Sequence, residues 1–205
     1  MQFETEILAS RNDAAGFHHL KLSRPDNFDF VPGQYVTLAY GNEDKPRFLA
    51  LASHPTERQL LFISRQEAPP SQQVKISAPQ GKGFACDFTL KTPFLFITHG
   101  TGISAIRSAA LERKRLGHAG DTLLYGAQNA EAEPDVDCLT DQRSLRQLRA
   151  HSKVAPRQHV QQILQTLELN QFAAVIIIGS KEMMQSCREI IAEQGFDPAK
   201  VFSNY

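Results

Sequence analysis

Short apolar runs separated by turn residues fill the first part of the chain. From Phe3 to Ala9 apolar and polar residues alternate, which is the period of a strand with one buried face. Further short runs, bounded by Gly, Pro, Asn or Asp, occupy 17–22, 35–40, 48–52, 59–64 and 73–77. This pattern predicts a small antiparallel β-barrel with Greek-key-like connections over residues 1–90.

The pattern changes after residue 90, where apolar runs alternate with helical segments. The predicted strands are 94–98, 122–125, 136–139, 175–178 and 201–202. The predicted helices lie near 103–116, 143–167 and 181–194. This alternation predicts a parallel sheet covered by helices, so residues 91–205 are expected to form a Rossmann-like α/β nucleotide-binding domain.

One segment of this second domain is a candidate phosphate-binding turn. A continuous apolar run from Phe94 passes through Gly100-Thr101-Gly102 into a predicted helix. The N–H groups of the first helical turn would stabilise an anionic group placed at these glycines. Neither Gly-x-Gly-x-x-Gly nor the Gly-Lys-Ser/Thr of a phosphate-binding loop is present, so a phosphate site and a plain tight turn both remain open.

Glycines also follow other predicted strands of this sheet. Gly126 and Gly179 come at or just after the ends of two strands, as Gly100 does. Parallel sheets bind ligands at the carboxyl ends of their strands. These glycines therefore indicate where a ligand would lie.

Charge and targeting signals exclude several classes of protein. Lys plus Arg and Asp plus Glu number 22 each, so no bulk charge favours nucleic acid or an anionic membrane. The amino terminus lacks the basic start and apolar run of a signal peptide, and no apolar segment approaches the ~20 residues of a membrane span. We expect a cytoplasmic protein with small neutral or anionic partners.

Cysteine and histidine positions give no metal motif. Cys86, Cys138 and Cys187 are widely separated, and we expect reduced thiols rather than an iron–sulfur or zinc site. No histidines stand at the i, i+4 spacing of a helical metal site. The sequence predicts no metal centre and no catalytic acid–base pair.

Six short motifs occur along the two predicted domains. They are PGQYV at 32–36, KPRFLALAS at 45–53, APQGKGF at 78–84, HGTGIS at 99–104, YGAQ at 125–128 and IGSKEM at 178–183. In this order they resemble motifs of the ferredoxin–NADP reductase superfamily, and the resemblance spans nearly the whole chain. It implies a flavin-binding barrel followed by a nicotinamide-nucleotide domain.

The resemblance also implies roles for individual residues. Arg47 and the backbone around Ala50 to Ala52 would hold FAD, Gly100 to Gly102 would hold the dinucleotide pyrophosphate, and the segment starting at Gly179 would border the nicotinamide. The implied cofactor-binding residues are Arg47, Leu49, Ala50, Ala52, Gly81, Gly100, Thr101, Gly102, Gly126, Gly179, Lys181, Met183 and Tyr205.

The flavin half departs from the superfamily motif. Leu49 and Ala50 stand where the superfamily has Tyr and Ser, so a ring can still be covered but a side-chain hydrogen bond to it is lost. The segment 66–72 is too short for the helix that usually holds the flavin pyrophosphate. Ser71 with Arg65 is the best replacement, and a loop that merely closes the barrel is the other interpretation.

The nucleotide half has its own departures. Gln128 replaces an Arg that often holds a 2′-phosphate, which favours NAD over NADP because an amide makes no charge-assisted contact. Ser180 replaces a Pro. His99 replaces a Gly, and it would either hydrogen-bond a ligand or narrow the site.

Two functions remain open at this stage. The first is a flavin-dependent NAD(P)H oxidoreductase that passes electrons to an unidentified acceptor, which could be a protein. The alternative is a flavin-free descendant that serves as a nucleotide-binding or protein-interaction module. If the first is right, we expect Gly102→Ala to weaken dinucleotide binding more than folding.

Overall fold

The computed structural model describes residues 1–40, 46–66, 73–137, 145–151 and 156–204. Its first half is an antiparallel sheet rolled into a nearly closed barrel. The strands are β1 (Gln2–Asn12), β2 (His18–Ser23), β3 (Tyr35–Tyr40), β4 (Arg47–Ala50), β5 (Gln59–Ser64) and β6 (Gln73–Ser77), in the order β4-β3-β6-β1-β2-β5.

The two edge strands of the barrel approach each other just past β4. The Ala52 N–H donates to the Leu61 carbonyl at 2.8 Å, and the Leu61 N–H donates to Ser53 Oγ at 2.7 Å. These bonds satisfy edge groups that would otherwise be open to pairing with another chain. The barrel interior is apolar, and its fully buried residues include Leu22, Val36, Leu38, Leu60 and Ile76.

The second half is a parallel sheet, as the alternation of strands and helices predicts. Its strands are β7 (Phe94–His99), β8 (Asp121–Ala127), β9 (Leu145–His151), β10 (Ala174–Ile178) and β11 (Val201–Phe202), in the order β11-β10-β7-β8-β9. Its helices are α1 (Ile103–Arg115), α2 (Pro156–Gln165) and α3 (Lys181–Glu193). Strands β8 and β10 are buried along their whole length, which explains their continuous apolar runs.

One part of the sequence prediction is wrong. Residues 145–151 lie in the predicted helix 143–167 but form strand β9, and the helix begins only at Pro156. Val136 and Asp137, the described part of the predicted strand 136–139, are not in a strand. Among the described strands β9 pairs with β8 alone, at the edge of the sheet. Its side chains are largely polar, and the spacing of Leu145 and Leu148 resembles that of a helix.

Helix α1 packs against the barrel as well as against its own sheet. Ser104 Oγ donates to the Ile63 carbonyl at 2.9 Å and accepts the Ile63 N–H at 3.2 Å. The guanidinium of Arg107 donates to the Ala52 carbonyl at 2.6 Å. We call these two interactions the α1–barrel contacts, and they fix the two domains relative to each other.

The outer end of α1 makes a further contact with the barrel. Glu112 Oε2 lies 2.5 Å from His54 Nε2, and both side chains are largely buried. The hydrogen bond from Arg115 lowers the pKa of the Glu112 carboxyl, burial opposes this, and the bond with His54 lowers the pKa further. Glu112 is therefore an anion that both neighbours stabilise.

A second junction joins the β1–β2 hairpin to the loop after β8. Asp13 accepts hydrogen bonds from His19 Nε2 at 2.8 Å, from the Phe17 N–H at 2.8 Å and from the Asp135 N–H at 2.9 Å. Burial raises the pKa of Asp13, but the hydrogen bonds outweigh burial and hold it below its usual value. The carboxylate thus connects the barrel with the sheet.

The carboxy-terminal turn of α1 carries a fully buried guanidinium. Arg113 makes two bonds to Asp121, at 3.0 and 2.9 Å, and its face lies 4.0 Å from the centre of the Phe94 ring. It also donates to carbonyls of the interdomain segment, those of Phe88, Leu90 and Thr92. A buried charge with every donor used is stable only while all of its partners remain in place.

Arg113→Met tests this role. It leaves the Asp121 carboxylate buried without its cation, so we expect the free energy of unfolding to fall by about 3–5 kcal/mol in urea titrations. The control is Arg115→Met on the same helix, which removes a pair between Glu112 and a half-exposed arginine side chain and should lower the free energy of unfolding far less. Equal effects of the two substitutions would contradict the role assigned to Arg113.

Candidate functional site

A crevice of about 1450 Å³ opens where the barrel meets the carboxyl edge of the parallel sheet. The barrel side is formed by Arg47 to Ala50 and by Ile63 to Gln66, and the sheet side by His99 to Gly102 and Ile178 to Ser180. Single small-molecule pockets are about 300–1,000 Å³, so this crevice has room for an extended dinucleotide or for two ligands side by side.

The Gly100-Thr101-Gly102 segment forms the turn between β7 and α1. It is one turn of 3₁₀ helix that leads directly into α1, and the Tyr125 hydroxyl donates to the Gly100 carbonyl at 3.2 Å. Gly100 has φ +55, and a Cβ built on it would meet no described residue beyond its chain neighbours within 4 Å. The turn therefore presents backbone without side-chain cover, at the start of a helix, to the crevice.

Gly102 has a different role in the same turn. A Cβ at this position would lie 2.3 Å from Thr98 Oγ1 and 3.1 Å from the Ile178 carbonyl. A side chain at this position would point at the sheet, so its absence lets α1 pack closely on β7 and β10. The structure revises our expectation for Gly102→Ala, because the added methyl would disturb folding directly.

Gly179, after β10, is packed on both sides by protein atoms. A Cβ there would lie 2.4 Å from Met183 Cε and 3.0 Å from both Cδ2 and Nε2 of His99. The Ser180 N–H donates to His99 Nε2 at 3.2 Å. His99 lines the crevice and accepts a backbone hydrogen bond, an interaction that the sequence did not suggest.

The barrel side of the crevice combines cationic groups with apolar surface. Arg47 lies on β4 with its guanidinium 4.9 Å from the centre of the Tyr40 ring, while Leu49 and Ala50 line the crevice. Phe48 is 69% exposed, and its ring centre is 5.9 Å from that of Tyr35. This side can therefore cover a planar ring and contact an anion.

Arg65, at the end of β5, is a second cation on this side. Its guanidinium lies 3.6 Å from the centre of the Phe17 ring, and it donates to the Ala15 carbonyl. It lines the crevice, as its suggested part in holding a phosphate requires. Ser71, its suggested partner, lies outside the described residues.

The structure brings most of the predicted site residues to the crevice. Those that line it are Arg47, Leu49, Ala50, Gly100, Thr101, Gly102 and Gly179. Ala52 does not line it, because it is fully buried in the barrel closure, with its N–H bonded to Leu61 and its carbonyl to Arg107. Its predicted contact with flavin is therefore not supported.

The other predicted residues lie behind the crevice or beyond it. Met183 is buried against Gly179, and Gly126 is buried within β8. Gly81 has φ +79 and packs against the Tyr35 ring, so it supports a wall residue rather than a ligand. Lys181 is exposed at the start of α3 and does not line the crevice, and Tyr205 lies outside the described residues.

Several lining residues were missed by the sequence analysis. Ile63 and Ser64 come from β5, and Asn204 reaches across from the sheet domain to donate to the Gly33 carbonyl at 3.0 Å. No motif marks these positions. Their place follows from barrel closure and from the α1–barrel contacts, which only the folded chain shows.

Two of the three cysteines lie in the described part of the chain. Cys86 and Cys187 are free thiols, and burial raises the pKa of each to about 12. Cys138 lies outside the described residues. Within the described ranges there is no cluster of three potential metal ligands, and no described helix is long and apolar enough to cross a membrane.

Comparison with curated proteins finds components of two monooxygenases, although no protein-family profile matches the chain. Methane monooxygenase component C of Methylosinus trichosporium is 31% identical over 156 residues, which cover 65% of this chain and 45% of that protein. The reductase component DmpP of phenol 2-monooxygenase from Pseudomonas sp. (strain CF600) is 31% identical over 126 residues, which cover 54% of this chain and 35% of that protein. The chain thus matches less than half the length of these relatives.

Solved structures match nearly the whole chain. Ferredoxin-NADP+ reductase from Plasmodium falciparum has a TM-score of 0.81 at 15% identity, over 98% of this chain and 95% of that one. The chain has the ferredoxin–NADP reductase fold. Phthalate dioxygenase reductase shares this fold with a TM-score of 0.78 at 18% identity, over 98% of this chain and 67% of that one. The predicted ferredoxin–NADP reductase architecture, a barrel followed by a nucleotide-binding-type sheet, is confirmed.

A double-mutant cycle tests the distinct roles of the two glycines in the first turn. We expect Gly102→Ala to lower the free energy of unfolding by about 1–3 kcal/mol, as overpacked cores do. Adding Thr98→Ala removes the nearest clashing atom, so the pair should be coupled by at least about 0.5 kcal/mol. Gly100→Ala should cost about 1 kcal/mol through its positive φ and show no coupling to Thr98→Ala, and coupling there would contradict the geometry.

Proposed function

We propose that this chain is the flavin and nicotinamide-nucleotide part of an NAD(P)H-dependent oxidoreductase of the ferredoxin–NADP reductase type. The observation that carries the proposal is the crevice between the domains. One wall offers Arg47 and apolar surface, and the facing wall offers the bare Gly100–Gly102 turn at the start of α1. This arrangement suits a planar ring system on one side and a pyrophosphate on the other.

The residues on the barrel side fit a flavin. Leu49 and Ala50 give apolar contact for a ring, and the Arg47 guanidinium is a charge-assisted donor for a phosphate oxygen. Bound FAD would exchange electrons both with a nicotinamide nucleotide and with an acceptor. The chain contributes binding, orientation and exclusion of water, and no protein acid or base is needed for this chemistry.

The residues on the sheet side fit a dinucleotide. The N–H groups of the Gly100–Gly102 turn and the positive end of α1 would stabilise a pyrophosphate. Gln128 is exposed just beyond β8 and offers an amide rather than a cation, which supports NAD over NADP. A cytoplasmic location is part of the same proposal.

The acceptor is proposed from the kind of protein that the chain resembles. The matching proteins are named as components of methane and phenol monooxygenases and as a phthalate dioxygenase reductase. These names support an electron-acceptor protein as the physiological partner. The flavin-free alternative draws no support from them and becomes an outcome of the experiment below.

Reconstitution with FAD tests the proposal. We expect the purified chain to be yellow or to take up added FAD, with absorbance near 450 nm that bleaches when NADH is added without oxygen. Arg47→Ala should weaken FAD binding about tenfold, because a charge-assisted contact is lost. Lys75→Ala is the control, since Lys75 lies on β6 outside the crevice and pairs with Glu4 at 3.8 Å.

The outcomes separate the two functions. A colourless protein that takes up no FAD but binds NADH in calorimetry would contradict the oxidoreductase and favour a nucleotide-binding module. A protein that binds neither would leave only an interaction role.

A further inference from the structure

The two glycine turns at the edge of the sheet differ in what surrounds their side-chain positions. A Cβ on Gly100 would meet no described residue beyond its chain neighbours within 4 Å. At Gly179 the corresponding position lies 2.4 Å from Met183 Cε and 3.0 Å from two ring atoms of His99. Both glycines line the crevice, but the space beside Gly179 is filled by side chains of the protein itself.

The imidazole of His99 is held over the second turn by a hydrogen bond. The Ser180 N–H donates to His99 Nε2 at 3.2 Å, and Ser180 also caps α3 by accepting the Met183 N–H on its hydroxyl at 3.3 Å. Because Nε2 is the acceptor, the neutral ring in this position carries its proton on Nδ1. One capping residue thus fixes both the start of α3 and the orientation of the ring.

Both partners of this bond stand at positions that depart from the superfamily motifs described above. His99 stands at a Gly position and Ser180 at a Pro position, and a proline has no N–H to donate. With proline at position 180, His99 would lose this N–H donor. With glycine at position 99, the Ser180 N–H would lose this acceptor. The two departures are therefore coupled through a single contact in the crevice.

We propose that His99 is a specificity-determining residue that closes the nicotinamide side of the crevice. Its ring fills the space beside Gly179 in the crevice, so a nicotinamide ring that packs against Gly179 must displace it. The phosphate-binding turn stays accessible in either position of His99. This inference rests on the proposed function. In it, His99 lowers the affinity for nucleotides that carry a nicotinamide ring and leaves the affinity for those without the ring unchanged.

Calorimetry on the purified full chain tests the proposal with NADH and ADP-ribose as probes. ADP-ribose carries the pyrophosphate but lacks the nicotinamide, so it binds without displacing His99. In His99→Ala, NADH affinity should rise about two- to tenfold, the equivalent of one neutral hydrogen bond. ADP-ribose affinity should change by less than about twofold, because ADP-ribose binds without breaking the hydrogen bond between His99 and Ser180.

A matched pair of variants at Ser180 tests the hydrogen bond itself. Ser180 has φ −67, which proline adopts, so Ser180→Pro fits the backbone and replaces the N–H with a ring carbon, which removes the bond and displaces the imidazole. It should raise NADH affinity relative to ADP-ribose, as His99→Ala does. Ser180→Ala keeps the N–H and loses only the hydroxyl cap, so it should leave the ratio of the two affinities unchanged. These variants keep the test decisive if His99→Ala fails to fold.

Two results would overturn the inference, and they are distinguishable. If ADP-ribose binds normally while His99→Ala and Ser180→Pro leave NADH affinity unchanged or weaker, His99 does not close the site and the proposed function stands. If the wild-type chain binds neither NADH nor ADP-ribose, the proposed nucleotide site fails together with the inference.

Discussion

The arrangement of the molecule depends on helix α1, which belongs to the sheet domain but is bonded to the barrel. Ser104 exchanges two hydrogen bonds with the backbone of Ile63, and Arg107 donates to the carbonyl of Ala52. Both residues are buried, so breaking these contacts would leave polar groups without partners. The helix that begins at the glycine turn therefore also fixes the distance between the two walls of the crevice.

This constraint explains how two small domains form one crevice. Each wall alone is an incomplete surface: β4 and β5 offer cations and apolar side chains, and the sheet edge offers backbone donors. Because α1 connects them, its own start lines the same crevice as Arg47. The wall formed by the sheet is itself uneven, with open space at the Cβ position of Gly100 and side chains filling that of Gly179.

The sequence predicts the architecture well where local pattern decides it. Alternation in the barrel strands, continuous apolar runs in β8 and β10, and the Gly100–Gly102 turn are all visible in the residues. Strand β9 cannot be recognised in the same way, because it is an edge strand with polar side chains and has no apolar run. The burial of Ala52, the inward role of Gly102 and the bond between His99 and Ser180 come from contacts between distant segments, which periodicity and motifs do not encode.

We propose that FAD on the barrel wall and a dinucleotide on the sheet wall share the crevice between the two domains. Hydrogen–deuterium exchange of the full chain with and without FAD and ADP-ribose measures this directly, residue by residue. We expect slower exchange on both walls, at 47–50 and at 99–102, when both ligands are present. Protection confined to one wall, or absent from both, would contradict it.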